Sequence, residues 1–253
     1  MSRNILTGLV GAWCPSLGPS GYTLLDRSGR GNHGTLTNMD AATDWVGTPG
    51  GWALDFDGTN DYVLAGLNLN LLPIVSFSCF AIIRNASSSF AIFGNDNNKW
   101  GRVIRGSTTA TTATFQILNT TGISAALSGS VPLNTLFHLH VFWSTASMKL
   151  AINGKIVSTA SGEAAIYDDA EVVNFGRSGP SGLTLLLDGQ LGDIAIHNRQ
   201  LSSGEIAALY TLGRGGLGRL LTQRTQRRVF RTQVAAKSYL FVNNGQVIGG
   251  GML

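Results

Sequence analysis

The chain has 253 residues, 43% of them hydrophobic and only 13% charged, with 33 glycines. That is enough apolar material for one large β domain or two small ones, and the composition suits many strands joined by turns rather than helices. No run of about 18 apolar residues occurs, which excludes a membrane-spanning helix, and the net charge of +4 is unevenly spread: residues 214–253 hold seven Lys and Arg and no acid, whereas residues 1–213 hold 11 Lys and Arg against 14 acids.

In chain order, ILTGLVGAW (5–13) reads as a first strand and YTLL (22–25) as a second apolar run. DRSGRGNHG, Asp26 to Gly34, comes next. Its Gly29-x-Gly31-x-x-Gly34 spacing fits a dinucleotide-binding fingerprint, which needs a helix directly after it. The following TLTNMDAATDWVGTPGG has no helical period, so no helix N-terminus is available to meet a pyrophosphate. The stretch is expected to be a glycine-rich turn, fixed by side-chain bonds from Asp26 and Asn32 to backbone.

GWALDFDGTNDYVLAG (51–66) alternates with period two on either side of Asp57-Gly58, a strand–turn–strand signal. SFSCFAIIR (76–84) follows, with Phe77, Cys79, Ala81 and Ile83 on one face, and then SFAIFG, GRVIRG and ATFQILN. FHLHVFWS (137–144) sets Leu139, Val141 and Trp143 against His138, His140 and Phe142. KLAINGKIVS (149–158) is a hairpin whose Asn153-Gly154 supplies the two positive-φ residues of a type I′ turn. AEVVNFGR and GQLGDIAIHN complete the strands. LSSGEIAALYTLG (201–213) is the one short helix expected, with Ser202 and Glu205 as a capping box, Leu201 and Ile206 as a staple, and Gly213 as its end. Strands every 8–15 residues predict an all-β sandwich or barrel.

Few residues point to catalysis. His138 and His140 lie two apart on one strand face and could chelate, but no third ligand accompanies them. Of the three glutamates, Glu205 is assigned to the helix cap, and Glu163 and Glu171 fall in a loop and at a strand start, so the paired carboxylates of glycoside hydrolysis are not in evidence. Cys14 and Cys79 sit among apolar residues and are expected as free thiols. NDNNKWGR (95–102) groups Asn98 and Lys99 with Trp100 and could stack a sugar; the same tryptophan could instead pack inward. Asp61 and Tyr62, with Asp57 and Asn60, could meet sugar hydroxyls or calcium, or simply form a turn. The N-terminus lacks the long apolar region of a signal peptide, so the mature chain is expected to begin at or near Met1.

GLVGAW…LLDRSGRGNHGTLTN, GGWALDFDGTNDYV, FHLHVFWS…MKLAINGKIV and GQLGDIAIHNRQLSSGEIAALY, in that order, resemble the laminin-G-like, concanavalin A-like lectin/glucanase jelly-roll family over residues 8–212. The resemblance implies a two-sheet antiparallel jelly-roll sandwich, here residues 1–213. Many relatives have an acidic residue where this chain has Gly192, ahead of Asp193. A structural calcium that the family can hold is therefore in doubt, and no other cofactor is expected. The extra segment, residues 214–253, is expected to be an extended basic arm. Its QRRVFRTQ and VIGGGML resemble the ends of laminin-G-like chains encoded by bacteriophages and environmental bacteria, which in phages can serve as virion surface or adhesion components.

These readings converge on a non-catalytic structural or adhesion protein of a phage-like particle, located on a virion or extracellular surface and homo-oligomeric. Its arm, through Arg224, Arg227, Arg228, Phe230, Arg231, Tyr239 and Phe241, would dock on neighbouring particle proteins. The arm's apolar residues favour protein over nucleic acid as its partner. The alternatives are a carbohydrate-binding module for surface glycans and, disfavoured, a glycoside hydrolase.

Overall fold

The computed structural model describes residues 5–69, 72, 74–84, 89–94, 103–109, 112–118, 124–162, 172–179, 185–223, 242–243 and 246–247. Its strands are β1 (Leu9–Trp13), β2 (Thr23–Leu24), β3 (Gly34–Thr37), β4 (Trp45–Thr48), β5 (Gly51–Asp57), β6 (Tyr62–Asn68), β7 (Val75–Ile83), β8 (Ser89–Gly94), β9 (Val103–Thr108), β10 (Thr112–Leu118), β11 (Ser124–Pro132), β12 (Phe137–Trp143), β13 (Ser147–Ile152), β14 (Lys155–Ser161), β15 (Val172–Phe175), β16 (Asp188–His197), β17 (Val242–Asn243) and β18 (Gln246–Val247). Helix α1 spans Ser203–Leu212. A second helix at residues 216–223 adds to the one expected from sequence.

Residues Met1–Gly218 form one compact unit and Arg219–Leu253 another. The first is the expected all-β jelly-roll sandwich and runs on past Gly213, where α1 ends. One sheet has the order β14-β13-β12-β7-β16-β5-β4, with β1 also paired to β16; the other runs β11-β10-β9-β8-β15-β6-β3-β2. In the second unit the described strands are the hairpin β17–β18, with Val242 opposite Val247.

Period-two alternation dictates the core. Phe77, Cys79 and Ile83 of β7, and Leu139, Val141 and Trp143 of β12, face Val63, Phe93, Ile104 and Phe175 of the other sheet in a single apolar cluster. Ring pairs stitch the layers together: Phe77–Phe93 at 4.8 Å, Phe93–Trp143 at 5.8 Å and Trp13–Phe175 edge-on at 4.9 Å between centroids. Cys14 and Cys79 are free and buried. The β13–β14 hairpin turns at Asn153 (φ 50°) and Gly154 (φ 78°), as its sequence requires.

The turn at Asp26–Gly34 is built around one buried carboxylate. Asp26 accepts from the backbone N–H of Ala12 (2.9 Å), Ser28 (2.8 Å) and Asn32 (3.0 Å) and from the Ser28 hydroxyl (2.8 Å). Its own N–H donates to His33 Nδ1. The Asn32 side chain donates to the Val10 carbonyl, and the Asn32 carbonyl accepts from the Trp13 indole at 2.7 Å. Gly29 and Gly31 hold φ of 88° and 78°, which only glycine adopts without strain. The motif thus locks β1 to its neighbours and offers no phosphate cradle. Asp26→Ala leaves several buried donors unsatisfied and is expected to cost about 3 kcal/mol of stability in urea unfolding; a loss below about 1 kcal/mol would remove the turn from this role.

Candidate functional site

The outward face of β7, β12 and β16 is unusually polar for a buried surface. Pairing places His138 opposite Phe80, His140 opposite Ser78, and His197 opposite Ser76. All three histidines are buried. His140 Nδ1 lies 2.7 Å from the Ser78 hydroxyl, and His197 Nε2 donates to the Ile5 carbonyl at 2.7 Å. The His138 ring lies tilted against Phe80 and Tyr210, its centroid 4.9 and 6.2 Å from theirs. Burial depresses the pKa of His138 and His197 to about 4 and holds that of His140 well below the ordinary imidazole value, so all three are neutral at pH 7. Among the described residues no three His, Cys, Asp or Glu come together to hold a metal.

Helix α1 covers this layer. Ser202 accepts from the Glu205 N–H, and Glu205 returns a bond to the Ser202 N–H. Arg199 pairs both carboxylate oxygens of Glu205, at 2.6 and 3.0 Å, and this pairing above all lowers the Glu205 pKa to about 2. Ile206 and Leu209 bury against Ile5, Ala151 and Leu201. The hairpin tip supports the helix from below: a Cβ on Gly154 would lie 3.1 Å from the Tyr210 Cβ. Tyr210, one position beyond Leu209, is left 43% exposed.

A groove of about 420 Å³ opens beside the C-terminal end of α1, lined by Phe80, Leu136, Phe137, Tyr210, Thr211, Gly213 and Arg214. Its rim is Tyr210 and the 42% exposed Leu136, and its polar wall is Arg214. Arg214 is positioned by a bulge in β16, where the register shifts between Leu191 and Ile194. A Cβ on Gly192 would lie 2.8 Å from Arg214 Cγ, so the arginine stem occupies the room that an acidic residue there would need. Asp193 accepts from the N–H groups of Ser16 (3.3 Å) and Gly218 (2.9 Å). With no carboxylate at 192 and Asp193 committed to backbone, this corner does not fit calcium.

The residues singled out from sequence are distributed as follows. Asn98, Lys99 and Trp100 lie outside the described residues, as do Arg224, Arg227, Arg228, Phe230, Arg231, Tyr239 and Phe241. Asp61 is buried, accepts from the Asp57 N–H at 3.0 Å, and is raised by burial to about 6. Tyr62 is half-buried beneath the Arg177 guanidinium, 4.7 Å from its ring. Register puts Val63, Phe175 and Phe93 in one row. Tyr62 and Gly94, the last described residue before 95–102, are therefore two strands apart, roughly 10 Å across the sheet. Sequence reasoning missed Phe80, Leu136, Tyr210 and Arg214. Tyr210 was legible only as the helix residue off the Ile206–Leu209 stripe, and nothing local places Leu136 opposite it.

The profile of the concanavalin A-like lectin/glucanases superfamily matches residues 57–207, more than half of the chain. A sequence search of the curated proteins finds no match. Among solved structures, botulinum neurotoxin type C, whose cell entry depends on interaction with two ganglioside molecules, aligns with TM-score 0.63 at 16% identity over 83% of this chain and 52% of that one. The binding domain of botulinum neurotoxin serotype D gives 0.60 at 14% over 83% and 53%. The Trypanosoma rangeli sialidase in complex with 2,3-difluoro-KDN gives 0.59 at 13% over 81% and 32%. At these identities the likeness is one of fold, and the chain spans about half the length of the toxin chains and a third of the sialidase.

The neutral histidine layer has a consequence for acid stability. Each imidazole is held below its unfolded pKa of about 6.5, so its contribution is complete above that pH and is lost as the unfolded chain takes up protons between about 6.5 and 4. His138 and His197 each account for on the order of 3 kcal/mol at pH 4. Asp61, raised in the fold, gains on protonation over the same range and offsets part of the loss. Urea unfolding as a function of pH is expected to show a net fall below pH 6.5, reduced in His138→Phe; a flat profile would contradict the burial of these rings.

Proposed function

This chain belongs to the concanavalin A-like lectin/glucanase superfamily, and on that premise we propose that it is a non-catalytic recognition module that binds surface glycans and is displayed by a phage-like particle. The observation that carries the reading is the state of the carboxylates. Every Asp and Glu among the described residues accepts a hydrogen bond from its own chain: Asp26, Asp40, Asp44, Asp57, Asp61 and Asp193 from backbone N–H groups, Asp55 and Asp188 from Arg84, and Glu205 from Arg199 and Ser202. Glycoside hydrolysis needs two carboxyl groups facing a shared substrate, and acids committed in this way serve the fold. The groove beside α1 instead offers what sugar binding uses: an exposed aromatic ring, an apolar wall and a few polar groups.

The particle assignment rests on charge. A net-acidic sandwich followed by an acid-free segment carrying seven basic residues over 214–253 suits a recognition head with an attachment tail. In this reading the tail docks on neighbouring subunits and the head faces outward.

Two measurements test the proposal. A glycan array probed with the full chain is expected to give selective binding that falls about tenfold or more in Tyr210→Ala; loss in Trp100→Ala with Tyr210→Ala unchanged would move recognition to the segment that carries Trp100, and an array with no signal would sink the glycan reading. Removing residues 219–253 is expected to leave a folded β sandwich by circular dichroism that no longer co-sediments with assembled particles. Normal incorporation of the truncated chain would overturn the attachment role.

A further inference from the structure

Arg214 is the most unusual charge in the sandwich. It is only 7% exposed, yet it has no carboxylate within ion-pair distance among the described residues. Nη2 donates to Gln190 Oε1 at 2.9 Å, and Nε is buried with no hydrogen-bond partner. The two acids that act on it through space, Asp193 and Asp55, are already committed, the first to backbone N–H groups and the second to Arg84. A guanidinium stays protonated at any physiological pH, so it cannot escape burial by losing its charge. A buried cation that its own fold leaves incompletely paired is costly, and the cost is relieved by an anion from outside.

That cation lines an open groove whose other walls are apolar. Phe80 and Phe137 are buried at its base, Leu136 and Tyr210 stand exposed at its rim, and Thr211 adds a hydroxyl that donates to the Ala207 carbonyl. Its lining contains no acid. A fully hydrated inorganic anion makes no use of the tyrosine or the leucine. A pyranose bearing a carboxylate uses both halves: one ring face packs on Tyr210 while the carboxylate meets Arg214 in the planar geometry that a guanidinium favours.

We infer that the groove between α1 and the β11–β12 connection is a binding site for acidic sugars, with Arg214 as the carboxylate receptor and Tyr210 as the ring platform. This rests on the glycan-recognition reading and narrows it to a ligand class. A neutral sugar would leave the buried guanidinium as it is, so the acidic sugar is preferred over its neutral counterpart.

The test uses the full chain and isothermal titration with an oligoglucuronate, with sialyl-lactose as a second acidic probe, and with lactose and the carboxyl-reduced oligosaccharide as neutral controls. Expected are tighter binding of at least one acidic probe than of its neutral counterpart, weakening at higher salt, and a loss of about tenfold or more in Arg214→Gln and in Tyr210→Ala. Arg214→Lys should retain part of the affinity. The melting temperature of Arg214→Gln is compared with the parent to separate lost binding from an unfolded corner; Tyr210→Ala, at a half-exposed position, keeps the inference falsifiable on its own. Binding of neutral and acidic sugars alike, unaffected by Arg214→Gln, would overturn the acidic-sugar site while leaving glycan recognition standing. Binding of none of them, together with an empty glycan array, would overturn both.

Discussion

Strand β16 has to satisfy two different partners along one edge, and much of the molecule depends on how it does so. On one side it pairs with β7 over its whole length; on the other it pairs with β5 up to Leu191 and with β1 from Ile194 onward. Leu191 and Ile194 both face the core although three positions separate them, an odd step that would turn one outward in a regular strand. The Gly192–Asp193 bulge absorbs the extra residue and keeps both inside. It also aims the buried Asp193 carboxylate at Ser16 and Gly218, tying the turn after β1 and the start of the second helix to the middle of the sheet. The bare Gly192 makes room for the Arg214 stem. One register shift thus sets the edge of the sheet, the end of the compact unit and the charge in the groove.

The same economy governs the polar groups. The described core between the sheets is apolar, and the outer face of β7, β12 and β16, beneath α1, gathers five buried polar side chains: Ser76, Ser78, His138, His140 and His197. There, serine hydroxyls, imidazoles and two carbonyls satisfy one another in part, while the helix excludes water. Among the described residues the carboxylates are committed to turns, a helix cap, the Gly192–Asp193 corner and the Arg84 pair. The groove beside α1 presents an aromatic ring, an aliphatic wall and a cation, with no acid in its lining.

The sandwich was legible because its signals are local. Leu139, Val141 and Trp143 alternate against His138, His140 and Phe142; Asn153-Gly154 dictates a hairpin; Ser202 and Glu205 announce a helix. The strands that escaped notice lack such signals. β3 is GTLT at the end of what reads as a turn, β4 lies in a stretch rich in Asp, Gly and Pro, and SAALSGSVP of β11 is made of small residues with weak strand preference. Each becomes a strand because a partner is waiting for it. The second helix was hidden by glycines at 215, 216 and 218. The groove was illegible for a related reason: Phe80, Leu136, Tyr210 and Arg214 come from four separate segments, and only the folded register brings them to one place. The Asp26–Gly34 stretch was the opposite case, misleading as an isolated spacing and clear once its flanks were read.

The pairing of β1 with β16 also fixes an order of events. The bond from His197 to Ile5 spans 192 residues. On a ribosome adding about 5–20 residues per second, β1 emerges roughly 10–40 s before its partner exists. During that interval an apolar strand would be exposed to whatever lies nearby. The Asp26 turn is complete by Gly34, and it already grips β1 through Ala12, Val10 and Trp13. These bonds join residues within the first 34 of the chain, so they need nothing that is made later, whereas the pairing with β16 needs almost the whole sandwich.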